Sequence, residues 1–249
     1  MKSLDAMVAF ARESLGLAPN AEADLLPIRS GGSDRNYFRF RWDGKHSAII
    51  VHYGPDRIEN AYFADIAAFL LKINIPVPEI FRHDEAERLV LMEDLGDLDL
   101  WSLREAPWQE RIILYQKTLA ASQRLHSFPE RLFPSGRVRL MDAFGPDLYR
   151  WERDYFKDNF VGALCRISLE SDLGAQLEAE LARMAQRLQS YGRSLVHRDL
   201  QSQNVMIRGD DVFLIDFQGM RSGTRFYDLG SLLCDPYVSL PQHERMGLL

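Results

Sequence analysis

The sequence predicts an α+β fold: a small β-rich front part with one inserted helix, then a larger, mainly helical part that carries a short hairpin. Three observations predict it. Short β-branched and aromatic runs crowd residues 1–92. From residue 98 the apolar spacing lengthens to the three-and-four rhythm of helices. Within that helical part, "LVHRDLQSQNVMIRGDDVFLIDFQG" (195–219) returns to strand-forming residues, interrupted by Asp199, Asn204 and Asp216.

The chain has 249 residues, enough to bury a sizeable core in one large domain or in two parts sharing an interface. Hydrophobic residues make up 46% and charged residues 27%, a globular balance that leaves no segment bound to be disordered. The net charge of -6 comes with no cluster of Lys and Arg, which argues against a nucleic-acid partner. Cys165 and Cys234 are too few and too far apart for a disulfide framework or a zinc site, so a reducing, cytoplasmic setting is expected. No apolar run approaches the roughly 20 residues of a membrane span. The opening "MKSLDAMVAFARESLGL" is interrupted by Asp5 and Glu13 and lacks a cleavage-like site, so neither a membrane partner nor an export signal is expected.

That opening segment carries an apolar stripe, Leu4, Met7, Val8, Ala11 and Leu15, and predicts a surface helix. "SGGSDRNYFRFRW" and "HSAIIVHYG" predict two strands, the first entered through a Gly-Gly turn, and "ERLVLMEDLG" predicts a third. Between them, "RIENAYFADIAAFLLKIN" places Tyr62, Ile66, Phe69 and Leu70 at helical spacing and stops at the prolines of "IPVPEI". Gly96 among the aspartates of "MEDLGDLD" marks an exposed hinge, dividing the chain into 1–92, a hinge at 93–97, and 98–249. Beyond it, Ile112, Tyr115 and Leu119 predict a helix from Trp108 to His126. Leu173, Leu177, Leu181, Met184 and Leu188 predict another from Asp172 to Leu188. Val205 to Ile207 and Val212 to Ile215, joined by "RGDD", predict a hairpin, with Asp199 and Asn204 in the loop before it and Asp216 at its end.

Two carboxylates and an amide are hard oxygen donors, the kind Mg²⁺ takes while phosphates and water complete its octahedron. "HRDLQSQN" fits H-R-D-x-x-x-x-N, in which the Asp accepts the nucleophile's proton and the Asn holds metal. Asp216 in "IDFQ" stands where the metal-binding Asp of D-F-G would. A lone loop Asp is most often a turn or cap residue. The weight here rests on the conjunction of H-R-D, an Asn at the required offset and a hairpin ending in Asp. His197 is expected to be a packed structural histidine and Arg198 a loop-ordering residue.

Together, "GGSDRNYFRF", "LVLMEDLGD", "LVHRDLQSQNVMI", "LIDFQ" and "YDLGSLLCDPYV" resemble the aminoglycoside phosphotransferase and choline kinase superfamily, whose fold is protein-kinase-like. Within it they look most like the bacterial anomeric kinases of N-acetylmuramate and N-acetylglucosamine, and the resemblance runs from about Leu25 to the end. It implies a nucleotide-binding N-lobe (1–92), a catalytic and acceptor-binding C-lobe (98–249), and ATP and Mg²⁺ as cofactors. It implies further that Asp199 is the base, that Asn204 and Asp216 hold the metal, and that backbone around Glu93 and Leu95 meets adenine. Gly31, Gly32 and Ser33 would lie over the phosphates, although a Gly-Gly turn read by itself is equally a hairpin turn. Glu152 in "YRWERDYF" would line the acceptor side, or else stand as a solvated or ion-paired surface residue. Asp228 is read as capping its helix or bracing the catalytic loop.

Two features depart from the superfamily pattern. Val51 stands where most relatives place the Lys that pairs with the α and β phosphates. Lys45 reads as a solvated turn residue, and Glu59, the candidate partner of such a Lys, loses that role. Relatives also continue for several helices beyond "DPYV", so the C-lobe is expected to be incomplete. The expectation is a monomeric, ATP- and Mg²⁺-dependent small-molecule kinase acting on an amino sugar, at the anomeric hydroxyl, in cell-wall sugar recycling. The alternatives are an aminoglycoside or amino-alcohol phosphotransferase, and a nucleotide-binding pseudokinase or fragment.

Overall fold

A computed structural model describes residues 3–28, 34–170 and 172–249. Helix α1 (Leu4–Ser14) begins at Ser3, whose side chain accepts the Ala6 N–H, and buries Met7, Phe10 and Ala11. It is followed by strands β1 (Ala23–Ile28), β2 (Arg35–Trp42) and β3 (His46–Tyr53), then α2 (Phe63–Lys72), β4 (Ile80–Asp84) and β5 (Leu89–Glu93). The five strands form one antiparallel sheet in the order β1-β2-β3-β5-β4.

The three expected strands are its centre. The sequence reading missed both edges, for physical reasons. β1 contains Pro27, which has no N–H to give a ladder and is tolerated only at an edge. β4 is short, charged and broken by a register shift between Ile80 and Arg82.

Alternation along the strands divides the sheet into two faces. Phe38, Phe40, Ala48, Ile50, Leu89 and Leu91 pack against Met7, Phe10 and Ala11 of α1. Ile49, Val51, Tyr53, Val90 and Met92 point the other way, toward Tyr37 and Phe63. Helix α2 ends before the prolines as expected, and its Ile66, Ala67, Phe69 and Leu70 join the largest core cluster. There they meet Leu114, Tyr115 and Leu125 of α3 (Trp108–His126) and Val205, Ile207, Val212 and Leu214 of the hairpin. Each such side chain is worth about 1.5–3 kcal/mol when fully buried. One apolar core therefore ties the inserted helix to the helical part.

After α3 come α4 (Pro146–Tyr155), which continues as a π-helical stretch over Phe156–Leu164, and α5 (Asp172–Ser190). Strand β6 (Ser194–Val196) pairs with β9 (Arg221–Gly223), and between them lies the hairpin of β7 (Val205–Arg208) and β8 (Asp211–Leu214). Helices α6 (Phe226–Leu233) and α7 (Gln242–Leu248) follow. The leucine stripe of α5 differs from expectation: Leu173 is 51% and Met184 60% exposed, and Ala185 is the buried residue. Polar links to Glu178, from Arg153 of α4 and Lys157 of its π-helical continuation, help to hold that helix. Among the described residues, no helix is long and apolar enough to cross a membrane.

The segment read as an exposed hinge keeps Gly96 and Asp97 exposed and is tied to the sheet at one point. Arg39 of β2 donates Nε and Nη2 to the two oxygens of Asp94 at 2.6 and 3.1 Å, and also grips Asp97. Burial raises the Asp94 carboxyl, but hydrogen bonds from Arg39, Ser47 and the Gly96 N–H, with the Arg39 charge, together leave it below the usual aspartate range.

Candidate active site

The hairpin is fixed from two sides, and so, therefore, are the residues at its ends. Ile207 N–H donates to the Leu98 carbonyl at 2.8 Å, Leu100 N–H to Val205 at 2.9 Å, and Leu214 N–H to Pro76 at 2.8 Å. Arg208 and Asp211 close the pair through a two-residue turn in which Gly209 takes φ 61°, a left-handed value that glycine adopts without strain.

Asp199 lies in the loop between β6 and β7. The fully buried Asp228 shapes that loop: its two carboxylate oxygens accept the consecutive N–H groups of His197 and Arg198, both at 2.8 Å. His126 donates Nε2 to the same carboxylate at 2.8 Å. Arg198 has φ 83°, costly for a residue with a side chain, and this pair of charge-assisted bonds supports it. Asp228 is thus the brace of the loop. Downstream, the buried Asp235 of "DPYV" accepts from Ser202 N–H at 2.8 Å and from Ser202 Oγ at 2.5 Å. His197 is 1% exposed and accepts the Asp199 N–H at Nδ1, and burial depresses its basicity, so it packs as a neutral imidazole.

Three expected residues come together here. Asn204 donates Nδ2 to the Asp199 carbonyl at 2.8 Å, which turns its amide oxygen away from that bond. The Ile215 N–H donates to the Asn204 carbonyl at 3.0 Å, which brings the next residue, Asp216, beside it. Asp216 takes φ 63°, a region that Asp visits more readily than most residues. Burial, then the neighbouring Asp216 charge, raises the Asp199 carboxyl above the ordinary aspartate range, against the pull of Arg198, His197 and Arg35. Asp216 goes the other way: burial alone would raise it, but Arg35 and Gln218 leave it lowered.

Arg35 and Gln218 were not anticipated as site residues. The Arg35 guanidinium donates Nη1 to Asp216 Oδ1 at 2.5 Å, and Gln218 donates Nε2 to the same oxygen at 2.7 Å. An Arg at a strand start ordinarily reads as solvent-facing. The available signal was alternation, which puts Arg35 on the face of Tyr37 and hence of Val51.

This donor set fits Mg²⁺. Asp216 and the Asn204 amide oxygen are hard ligands, Asp216 already faces a cation in Arg35, and Mg²⁺ needs few protein ligands because it keeps waters and phosphates. Among the described residues there is no group of three or more His, Cys, Asp or Glu that could hold a metal by itself.

The remaining expected residues are more dispersed. Glu93 ends β5; its N–H is given to Glu79 at 2.8 Å and its side chain meets Arg208 at 2.5 Å, so the backbone group it can offer is its carbonyl. Leu95 is buried just beyond it. Gly31, Gly32 and Ser33 lie outside the described residues. Glu152 sits on α4 and accepts from Tyr227 Oη at 2.8 Å, immediately before the brace residue Asp228. Val51 is buried, and Lys45 is exposed in the β2–β3 turn, far from a phosphate role.

The model of a family described as "Phosphotransferase enzyme family" matches residues 24–247. A curated N-acetylmuramate/N-acetylglucosamine kinase of Pseudomonas aeruginosa is 26% identical over 242 residues, covering 94% of this chain; the chain spans 65% of that relative's length. A solved aminoglycoside phosphotransferase in complex with gentamicin superposes with TM-score 0.67 at 16% identity, over 100% of this chain and 81% of the other. A choline kinase of Streptococcus pneumoniae gives TM-score 0.65 at 16% identity, over 99% and 79%. At such identities the two structures show a shared protein-kinase-like fold.

Proposed function

The chain belongs to the phosphotransferase enzyme family, and we propose that within it the protein transfers the γ-phosphoryl group of ATP, with Mg²⁺, to the anomeric hydroxyl of N-acetylmuramate or N-acetylglucosamine. The observation that carries this reading is the convergence of three residues: Asn204 is hydrogen-bonded to Asp199, and the Ile215 N–H, bonded to the Asn204 carbonyl, sets Asp216 beside them. In it, residues 1–92 bind nucleotide, 93–97 are the hinge, and 98–249 supply catalysis and acceptor contacts. Glu93 and Leu95 offer backbone to adenine, and Gly31, Gly32 and Ser33 cover the phosphates.

Asp199 takes the proton of the attacking hydroxyl, which is worth roughly 10²- to 10⁴-fold for a positioned base. Asn204 and Asp216 would hold Mg²⁺, which when bound neutralises phosphate charge. An anomeric hydroxyl is more acidic than an ordinary alcohol, so a carboxylate raised only by burial and one neighbour suffices.

Glu152, held by Tyr227, is the acceptor-side carboxylate of this reading.

The test is a phosphoryl-transfer panel of N-acetylmuramate, N-acetylglucosamine, glucose, an aminoglycoside and choline, read by phosphorus NMR. The expected product is a sugar 1-phosphate coupled to the anomeric proton, with strong discrimination against glucose, because a site built for the N-acetyl group leaves polar groups unpaired without it. A 6-phosphate, equal rates with glucose, or turnover confined to the aminoglycoside or choline would overturn the acceptor assignment.

A further inference from the structure

We infer that Arg35 is the phosphate-binding cation of this site: it takes over, from the neighbouring strand, the task of the lysine that Val51 replaces, and it occupies Asp216 until nucleotide arrives. The inference rests on the kinase reading and goes beyond it.

Three observations converge. The first is geometric. In the β2–β3 register Tyr37 faces Val51 and Arg35 faces Tyr53, so Arg35 is the diagonal neighbour of Val51 on the same face of the sheet. Diagonal neighbours in an antiparallel pair are about 7–8 Å apart, which is within the reach of an arginine side chain. An arginine at 35 and a lysine at 51 would therefore serve one volume. Tyr37, Val51, Tyr53, Asn60, Phe63 and Val90 line the space around Arg35, and the Asp34 charge acts on it beside that of Asp216.

The second is energetic. The Arg35 side chain is only 10% exposed. Burying a charge in mostly apolar and aromatic surroundings costs several kcal/mol, and replacing a buried ion pair with apolar residues is often neutral or stabilising. Packing alone gives no reason for a cation at this position.

The third is the partner. Arg35 is paired with Asp216, the carboxylate best suited to Mg²⁺, at 2.5 Å. A divalent ion on Asp216 would repel the guanidinium, and a triphosphate would supply it with a new anionic partner and a bidentate one.

Calorimetric titration of ADP in the presence of a chelator, and of Mn²⁺ without nucleotide, tests the assignment through two opposed readouts. For Arg35→Met, metal-free ADP should bind at least tenfold more weakly while Mn²⁺ binds more tightly, since its competitor for Asp216 is gone. Arg35→Lys, which keeps the charge and the ion pair, should retain ADP within a few-fold and guards against loss of fold. Val51→Lys placed in the Arg35→Met background should recover much of the ADP affinity. A merely structural role would weaken both ligands together. Unchanged ADP affinity in folded Arg35→Met, weaker Mn²⁺ binding in it, or no recovery in the folded double variant would overturn the inference. Wild-type protein that binds neither ADP nor Mn²⁺ would remove the kinase reading and this inference together. Arg35-dependent ADP binding without transfer to any acceptor would remove the acceptor reading alone.

Discussion

The side-chain amide of Asn204 donates to the backbone carbonyl of Asp199 at 2.8 Å, so the proposed metal ligand also fixes the position of the proposed base. The two functions can be separated at Asn204. Asn204→Asp keeps an oxygen for the metal but sets a carboxylate against the Asp199 carbonyl. Mn²⁺ affinity should stay within a few-fold of wild type, while kcat falls about tenfold or more, the consequence of losing a bond worth about 1 kcal/mol and displacing the base. Asn204→Ala should lose both. Metal titration beside steady-state kinetics distinguishes the two patterns.

Asp228 is the loop's internal support, and its replacement should be felt first as instability. Asp228→Asn has a single acceptor oxygen and cannot take the N–H groups of both His197 and Arg198. Leaving one buried donor unpaired beside His126 should cost about 2–4 kcal/mol, measured as a shift of the urea midpoint at unchanged slope. Wild-type stability in this variant would mean that the loop holds its shape without the brace.

Asp199 carries the pH signature. Its carboxyl is raised by burial and then by Asp216, so its neutral form is the one that the fold prefers. A carboxyl raised on folding contributes stability that is fully present below the unfolded value, near 3.9, and is lost as pH rises through the folded value. Asp199→Asn cannot ionise. At pH 7 it should therefore be more stable than wild type, with the gap closing toward pH 4, while turnover drops by about 10²-fold or more. Paired unfolding curves across that range check the sign.

Glu152 gives a test of the acceptor side. Its bond from Tyr227 places it one residue from the brace. Glu152→Gln should raise the KM for the sugar by about tenfold, the equivalent of one lost charge-assisted hydrogen bond, and leave that for ATP unchanged. A rise in the ATP value would move Glu152 to the nucleotide side.

The centre of the fold was legible because its signals are local. Phe38 and Phe40 alternate with polar residues in β2, while β3 and β5 are continuous apolar runs, and the helical spacing of α2 and α3 is unbroken. The edge strands were not, because Pro27 in β1 and the charges of β4 read as non-strand until neighbours complete the ladder. At the site, Asp199, Asn204 and Asp216 were legible from spacing. Arg35 was not: its partner Asp216 is 181 positions away, and only the folded sheet brings them together. The tie of Asp94 to the sheet was not legible for the same reason, since Arg39, which holds it, lies 55 positions earlier.

The most direct measurement is calorimetric titration of Mg-ADP into wild type, Asp199→Asn and Asp216→Asn. The account predicts that Asp199→Asn binds nearly as wild type does, because a base is not needed for binding. It predicts that Asp216→Asn loses Mg²⁺-dependent affinity, because it removes the carboxylate that would hold the metal. Equal loss in the two variants, or full binding by Asp216→Asn, would contradict the separation of base from metal ligand on which the reading of this site as a phosphoryl-transfer centre depends.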